Sequence, residues 1–99
     1  DWNISRQIVW GIPIPAWFKN HGTPEEEVTV SRARPEGEGW KADTDTFDTW
    51  FSSGQWPLIM TGFPDGKDYE TFYPTDVMET GSDLIFKWIP RMIIFGLYL

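Results

Sequence analysis

The segment TDVMETGSDLIFKWIPRMII, residues 75–94, has the most regular pattern of this sequence and decides the predicted fold. Residues 75–79 are typical of a short buried strand, and Gly81 predicts a turn directly after it. Ser82 then predicts the cap of a helix that begins at Asp83. A strand, a glycine turn and a helix form the unit that brings ligands to the end of a parallel strand, so the segment predicts an α/β fold.

The predicted helix has one apolar face at helical spacing: Leu84, Ile85, Trp88, Ile89, Met92 and Ile93. Pro90 predicts a kink, because a proline inside a helix removes a backbone hydrogen bond. Gly81 and Asp83 have two interpretations. They cap the helix, with Asp83 paired to Lys87 four residues later, or they bind a ligand whose ribose hydroxyl reaches the carboxylate. Spacing alone favours capping.

The first half of the chain predicts short strands and connections after one brief helix. Residues 5–11 predict that helix, since a serine at the start suits a cap and a glycine suits the end. Residues 14–18 and 27–33 predict the two strands of a hairpin, because extended and β-branched residues flank a run of turn residues. The polar, glycine-rich residues that follow predict a surface connection.

Residues 45–57, DTFDTWFSSGQWP, place two tryptophans and two phenylalanines among carboxylates, hydroxyls and a glycine. They predict a loop, as do residues 58–74, in which residues 64–66 form a proline–glycine turn. The aromatic residues either wall an apolar pocket or belong to an ordinary core. Periodicity alone favours the core.

Composition limits the classes of function. The 99 residues carry a formal net charge of −7, which disfavours nucleic-acid binding through phosphate contacts by these residues alone. The absence of cysteine excludes disulfides and thiolate metal sites. The apolar run at residues 84–99 is shorter than the roughly 20 residues of a bilayer span, so no membrane partner is expected. Both ends of the sequence interrupt a pattern, which predicts a piece of a longer chain.

Other reactive residues have simple explanations. His21 lies in a predicted turn and suits a solvated side chain, and Glu25 to Glu27 suit a solvated acidic run. Ser52 and Ser53 have no histidine in a recognisable relation to them, so nucleophilic catalysis has little support. Neither a phosphate-binding loop nor metal-ligand spacing is present. Catalytic residues are therefore unknown, and no metal site is predicted.

Three segments together resemble a known family: DWNISRQIVWGIPIPAW, DTFDTWFSSGQWP and FYPTDVMETGSDLIFKWIPRMI. Their order and spacing are similar to consecutive blocks of the class I aminoacyl-tRNA synthetases of the valine, isoleucine and leucine group, after the editing insertion. DTWFSS is most similar to the valine-specific members, because isoleucine-specific members typically carry aspartate at the position of Ser52. The alternatives are an isoleucine- or leucine-specific member and a non-catalytic, aromatic-rich binding or structural module.

The resemblance implies part of a Rossmann-type catalytic domain, incomplete as a domain. The hairpin and connection then fall at residues 12–42, and the amino-acid pocket and adenylate unit at residues 43–99. It also implies activation of valine with ATP and magnesium, transfer to tRNA, and a cytoplasmic location. The family's two phosphate-handling motifs and its zinc-binding cysteines do not occur in these residues. We therefore expect no zinc here and no activity from these residues alone.

The same resemblance assigns site residues. In the family, the tryptophan of the DTW block and residues on the following helix shape the aliphatic side-chain pocket, which implies Trp50, Leu84 and Trp88 as the valine pocket. The aspartate of the Gly-x-Asp turn typically binds the adenylate ribose, which implies Gly81 and Asp83 as the ribose contacts. For Asp83 the resemblance favours the ligand interpretation over helix capping.

Overall fold

The computed structural model describes residues 1–99 and contains both helices and strands. The chain divides into two compact units, Asp1–Asp48 and Thr49–Leu99. All the strands belong to the first unit and all the helices to the second. The chain is therefore a mixed helix and strand structure, in which the two element types are separated along the sequence.

The first unit contains five short strands: β1 (Ser5–Arg6), β2 (Ala16–Lys19), β3 (Glu27–Val30), β4 (Lys41–Ala42) and β5 (Thr46–Phe47). Strand β2 is the centre of a three-stranded sheet in the order β3-β2-β4, and β1 pairs with β5 in a second sheet. Every strand pair is antiparallel. The first unit therefore contains no parallel strand pair, and the strand predicted at residues 75–79 belongs to the second unit.

The predicted hairpin is confirmed. Ala16 pairs with Val30 and Lys19 with Glu27, and the last pair adds an ion pair of 3.1 Å between Nζ and Oε1. The turn between the strands contains Asn20 with φ of 54°, in the left-handed region that asparagine tolerates better than most residues. Local turn chemistry and β-branched residues were sufficient to predict this element.

The predicted helix at residues 5–11 is wrong. Ser5 and Arg6 form β1, because β5 supplies antiparallel backbone partners to them. The Ser5 hydroxyl, expected to cap a helix, instead donates to the Asp45 carboxylate, as does the Gln7 amide. A carboxylate about forty residues away in sequence thus decides the conformation here.

The second unit contains four helices and one 3₁₀ turn: α1 (Thr49–Gly54), α2 (Trp56–Thr61), α3 (Lys67–Phe72), the 3₁₀ turn Ser82–Leu84, and α4 (Ile89–Tyr98). The loops predicted at residues 45–57 and 58–74 are therefore largely wrong, although the turn at residues 62–65 agrees with the predicted one. Helix α2 begins with a proline in its first turn and ends at Gly62, whose φ of 79° suits glycine.

The segment before α4 also differs from its prediction. Residues 75–79 are not a strand, since no strand of the second unit is available to pair with them. Gly81, not Ser82, is the N-cap residue, and only a 3₁₀ turn begins there. Pro90 does not kink a helix, because it lies in the first turn of α4, where a backbone N–H has no helical partner to lose.

The apolar face predicted for this region is only partly buried. Met92 is 6% exposed and lies in the core with Leu58, whereas Ile85 and Ile93 are about half exposed. None of the helices combines the length and the apolar character that crossing a bilayer requires.

Candidate functional site

Two tryptophans that the resemblance assigned to one pocket line the same cavity of the second unit. Trp50 of α1 and Trp88, the residue before α4, surround it together with Ser53 and Trp56. The cavity has a volume of about 320 Å³ and is widely open to solvent. An apolar, aromatic wall with few polar groups is typical of a site for a small ligand with an aliphatic part.

Hydrogen bonds of its ring and backbone hold Trp88 in place. Its indole Nε1 donates to the backbone carbonyl of Ser53 at 2.8 Å, and its backbone N–H donates to the carbonyl of Leu84, also at 2.8 Å. An indole ring has a single N–H group, which can only donate. The hydrogen bond to the Ser53 carbonyl therefore forms in one orientation of the ring. Trp88 is thereby linked to α1 through its side chain and to the 3₁₀ turn through its backbone.

Trp50 is held by residues of α4. The guanidinium carbon of Arg91 lies 5.8 Å from the centroid of the Trp50 ring. The two helices approach closely because Gly54 has no side chain: a Cβ there would lie 2.8 Å from ring carbons of Phe95. Phe95 in turn packs edge-on against Phe51, with ring centroids 5.2 Å apart. Helices α1 and α4 therefore pack closely against each other next to the cavity.

Leu84, the third predicted pocket residue, is half-buried in the 3₁₀ turn and is not among the side chains that line this cavity. Ser53 and Trp56 line it instead. Trp56 was among the aromatic residues considered as a pocket wall, but the resemblance assigned neither residue to the pocket. The spacing of Trp50 and Ser53 would place them on one face of a helix, but these residues predicted a loop. A prediction of helix α1 would therefore have placed Ser53 beside Trp50.

Gly81 and Asp83, the predicted ribose contacts, lie together at the start of the 3₁₀ turn, and both are exposed to solvent. Gly81 has extended backbone geometry, with φ of −60°, so its conformation does not require glycine. Its lack of a side chain leaves space beside the carboxylate, because a Cβ there would lie 3.1 Å from Asp83 Oδ1. A hydroxyl donor can approach this carboxylate freely.

The ion pair between Asp83 and Lys87 is not formed. The chain contains three ion pairs, which join Arg6 to Asp48, Lys19 to Glu27 and His21 to Glu26. The continuous helix that would bring Asp83 and Lys87 one turn apart is also missing, since turn residues follow Leu84. The Asp83–Lys87 contact of the capping interpretation is thus absent, although Gly81 is the N-cap residue of the 3₁₀ turn and Asp83 lies in its first turn.

A second apolar cavity of about 310 Å³ lies next to the first and shares Trp56 and Trp88 with it. All three methionines of the chain, Met60, Met78 and Met92, contribute to its lining. Trp88 therefore separates two apolar spaces, and changes to its ring affect both of them.

None of the residues that line the two cavities carries a charge. The pKa of the Glu26 carboxyl, in the hairpin of the first unit, lies below its ordinary value because the backbone N–H of Gly22 donates to it and His21 lies beside it. No three histidine, aspartate or glutamate side chains of the chain converge as a group that could hold a metal ion.

The chain is similar to known proteins along its whole length. A family model described as tRNA synthetases class I (I, L, M and V) matches residues 1–99. The chain is similar to a protein named valine–tRNA ligase from Streptococcus thermophilus (strain CNRZ 1066), at 48% identity over 99 residues, covering 98% of this chain and 11% of that protein. It is also similar to the valine–tRNA ligase of Staphylococcus carnosus (strain TM300), at 50% identity over 101 residues, with coverage of 98% and 11%.

A third relative, the valine–tRNA ligase of Streptomyces avermitilis, is 47% identical over 104 residues, covering 99% of this chain and 11% of the relative. The chain thus spans about a tenth of the length of the curated relatives it matches.

Proposed function

We propose a function for this chain from one premise: the chain belongs to the family of class I tRNA synthetases (I, L, M and V). Its function is to supply the valine pocket and the adenylate-ribose contact of a valine–tRNA ligase. The observation that carries this proposal is the convergence of Trp50 and Trp88 on one cavity of about 320 Å³. Names of relatives at 46–50% identity support valine as the amino acid.

The cavity suits a small aliphatic side chain in its size and chemistry. Its volume is at the lower end of the roughly 300–1,000 Å³ typical of ligand pockets, which suits a small ligand. Its tryptophan rings line one side of the cavity, and burial of a branched alkyl group against them contributes about 25 cal/mol per Å² of apolar surface. Leu84 lies outside this lining, and its place in the pocket stays a prediction.

The adenylate contact is proposed for Asp83 with the Gly81 backbone. The carboxylate is exposed and makes no ion pair with Lys87, so both of its oxygens are available to the hydroxyls of a ribose. The Gly81 position allows close approach, since a Cβ would crowd Asp83 Oδ1. A hydrogen bond from a hydroxyl to a charged carboxylate contributes roughly 1.5–3 kcal/mol.

In the reaction we propose, the valine carboxylate attacks the α-phosphate of ATP, giving valyl-adenylate and releasing pyrophosphate. A terminal tRNA hydroxyl then attacks the acyl carbon and releases AMP. The residues of this chain bind and orient: the tryptophan cavity holds the side chain and Asp83 holds the ribose. No group of ligands for a metal converges here, so we assign these residues no step that involves magnesium or zinc.

The remaining proposals concern the whole protein. Within it, we propose that these residues form part of a Rossmann-type catalytic domain in the cytoplasm, with valine, ATP and tRNA as partners. Family membership supports the ATP and tRNA partners, because amino-acid activation and tRNA charging are the reaction of this family.

Valine-dependent ATP–pyrophosphate exchange by the full-length protein tests the proposal. We expect exchange with valine, little with isoleucine and none with leucine, because the rings of Trp50 and Trp88 limit the space available to a larger side chain. Trp50→Ala should raise the KM for valine and increase exchange with isoleucine, since it removes one wall.

Trp10→Ala is the matched control, because Trp10 is 91% exposed and belongs to the first unit. Trp10→Ala should leave the KM for valine and the exchange with isoleucine unchanged. Exchange that depends on isoleucine or leucine in place of valine would reject the valine assignment. An unchanged KM and selectivity in Trp50→Ala would show that Trp50 belongs to an ordinary core.

A further inference from the structure

The guanidinium group of Arg91 lies over the Trp50 ring. Its carbon Cζ lies 5.8 Å from the ring centroid, within the roughly 6 Å at which the negative face of an aromatic ring attracts a cation. Arg91 is not among the residues that line the tryptophan cavity. The arginine therefore contacts a wall of the cavity and does not contact the space inside it.

Two contacts determine the position of the Arg91 side chain. Its Nη1 donates to the backbone carbonyl of Lys87, which holds the side chain along the start of α4. Gly54 allows α1 to lie against this part of α4, because a Cβ at that position would meet Arg91 Cβ at 3.2 Å. Since Trp50 is on α1 and Arg91 on α4, the close approach of the two helices brings the ring and the cation together.

We propose that Arg91 is a positioning residue that determines the amino-acid selectivity of the pocket by holding the indole of Trp50. The inference rests on the proposed assignment of this cavity to the valine side chain. An indole can rotate about χ1 and χ2, and a cation against one face favours the rotamer that keeps this face covered. A ring that is held rejects a larger side chain by overlap, whereas a ring that rotates makes room for it.

The contact differs from the hydrogen bond that holds Trp88. Trp88 donates its indole N–H to a carbonyl of Ser53, so its orientation depends on α1 itself. Trp50 depends on the cation from α4. The two walls of the cavity are therefore held by different groups, and loss of Arg91 should loosen Trp50 while Trp88 stays in place.

The test compares the full-length wild-type protein with Arg91→Met, which keeps an apolar stem without the charge, and with Arg91→Lys, which keeps a cation. We expect Arg91→Met to raise the KM for valine by about two- to thirtyfold, the range that corresponds to a cation–π contact of roughly 0.5–2 kcal/mol. The valine-to-isoleucine ratio of kcat/KM should fall, and Arg91→Lys should restore part of both values. The KM for ATP should not change.

Lys87→Met is the matched control, because it removes a cation from the same segment while leaving Arg91 in place. A second measurement follows the ring itself: fluorine NMR of protein labelled with 5-fluorotryptophan, in which Trp50→Phe identifies the Trp50 resonance. We expect this resonance to shift or broaden in Arg91→Met and to stay unchanged in Lys87→Met. If Arg91→Met does not fold, the same measurements on Arg91→Gln test whether Arg91 positions the Trp50 ring.

A purely structural role would lower the melting temperature while the selectivity and the KM for valine stay unchanged, and that result would overturn the inference. An unshifted Trp50 resonance would overturn it as well. Absence of valine-dependent exchange in the wild-type protein would reject the proposed function instead, and with it the selectivity role of Arg91.

Discussion

Gly54→Ala is the substitution whose effect follows most directly from the packing of α1 against α4. The new methyl group would lie 2.8 Å from two ring carbons of Phe95 and 3.2 Å from Arg91 Cβ. Favourable carbon–carbon contacts are roughly 3.5–4 Å, so the ring or the helix must move by about 0.7 Å or more. Phe95 cannot move alone, because it packs against Phe51 of α1.

The free-energy change has two opposing parts. Inserting a methyl group into a closely packed contact costs about 1–3 kcal/mol. Replacing glycine by alanine in a helix gains up to about 0.8–1.0 kcal/mol, but Gly54 is the last residue of α1, where this gain is smaller. We therefore expect a net destabilisation of about 1–2 kcal/mol for the opening of α1 and α4, which corresponds to about five- to thirtyfold in an equilibrium constant.

Amide hydrogen exchange in the full-length protein measures this opening without requiring two-state unfolding of a long chain. Peptides that cover α1 and α4 should exchange faster in Gly54→Ala by that factor, and peptides of the β2–β3 hairpin should not change. Gly81→Ala is the matched control, because it adds the same methyl group beside a flexible carboxylate only. Unchanged or slower exchange in α1 and α4 would refute the reasoning, since it would mean that the methyl group fits.

Three further predictions concern the site and the hairpin. Asp83→Asn should weaken binding of a non-hydrolysable valyl-adenylate analogue by roughly 1.5–3 kcal/mol in calorimetry, with little change in stability; unweakened binding would contradict the ribose role. Trp88→Phe should increase isoleucine-dependent exchange, because it enlarges the cavity and removes the indole donor; unchanged selectivity would contradict this. Glu26→Gln should reduce the loss of hairpin protection as the pH falls. The Gly22 N–H and His21 lower the pKa of Glu26. The stabilisation of the hairpin by ionised Glu26 is therefore present above the pKa of the unfolded chain and disappears as the pH falls through the pKa of the folded chain. Identical pH profiles of hydrogen exchange in Glu26→Gln and the wild-type protein would contradict this prediction.

The hairpin could be predicted from the sequence because its determinants are local. Extended residues and turn residues follow one another within about fifteen positions, and the pairing of β2 with β3 needs no distant partner. Residues 75–79 look equally suitable for a strand, but a strand requires a neighbouring strand that supplies hydrogen bonds. Since no strand of the second unit can do so, the apolar pattern of these residues was insufficient to predict their structure.

That Trp50 and Trp88 line one cavity could be predicted only through the family resemblance. Periodicity favoured an ordinary core for Trp50 and Trp88, whereas the structure places both rings around an open cavity. The reason is that α1 depends on a contact distant in sequence: Gly54 accepts the ring of Phe95, about forty residues later. A local pattern rich in aromatic residues, serine and glycine does not contain that information, and α1 was therefore predicted as a loop.

These contacts also bear on how selective such a pocket can be. If the cavity holds the valine side chain and Arg91 holds the Trp50 ring, as proposed above, a side chain larger than valine meets two rings that resist displacement. A smaller side chain meets no such resistance and loses only the contacts of the missing methyl group, which are worth about 1–3 kcal/mol. Under that proposal, the tryptophan cavity rejects larger amino acids more strongly than smaller ones. On this physical basis, a protein that uses the cavity to select valine requires a separate hydrolytic step against smaller substrates, because no further tightening of the rings would exclude them.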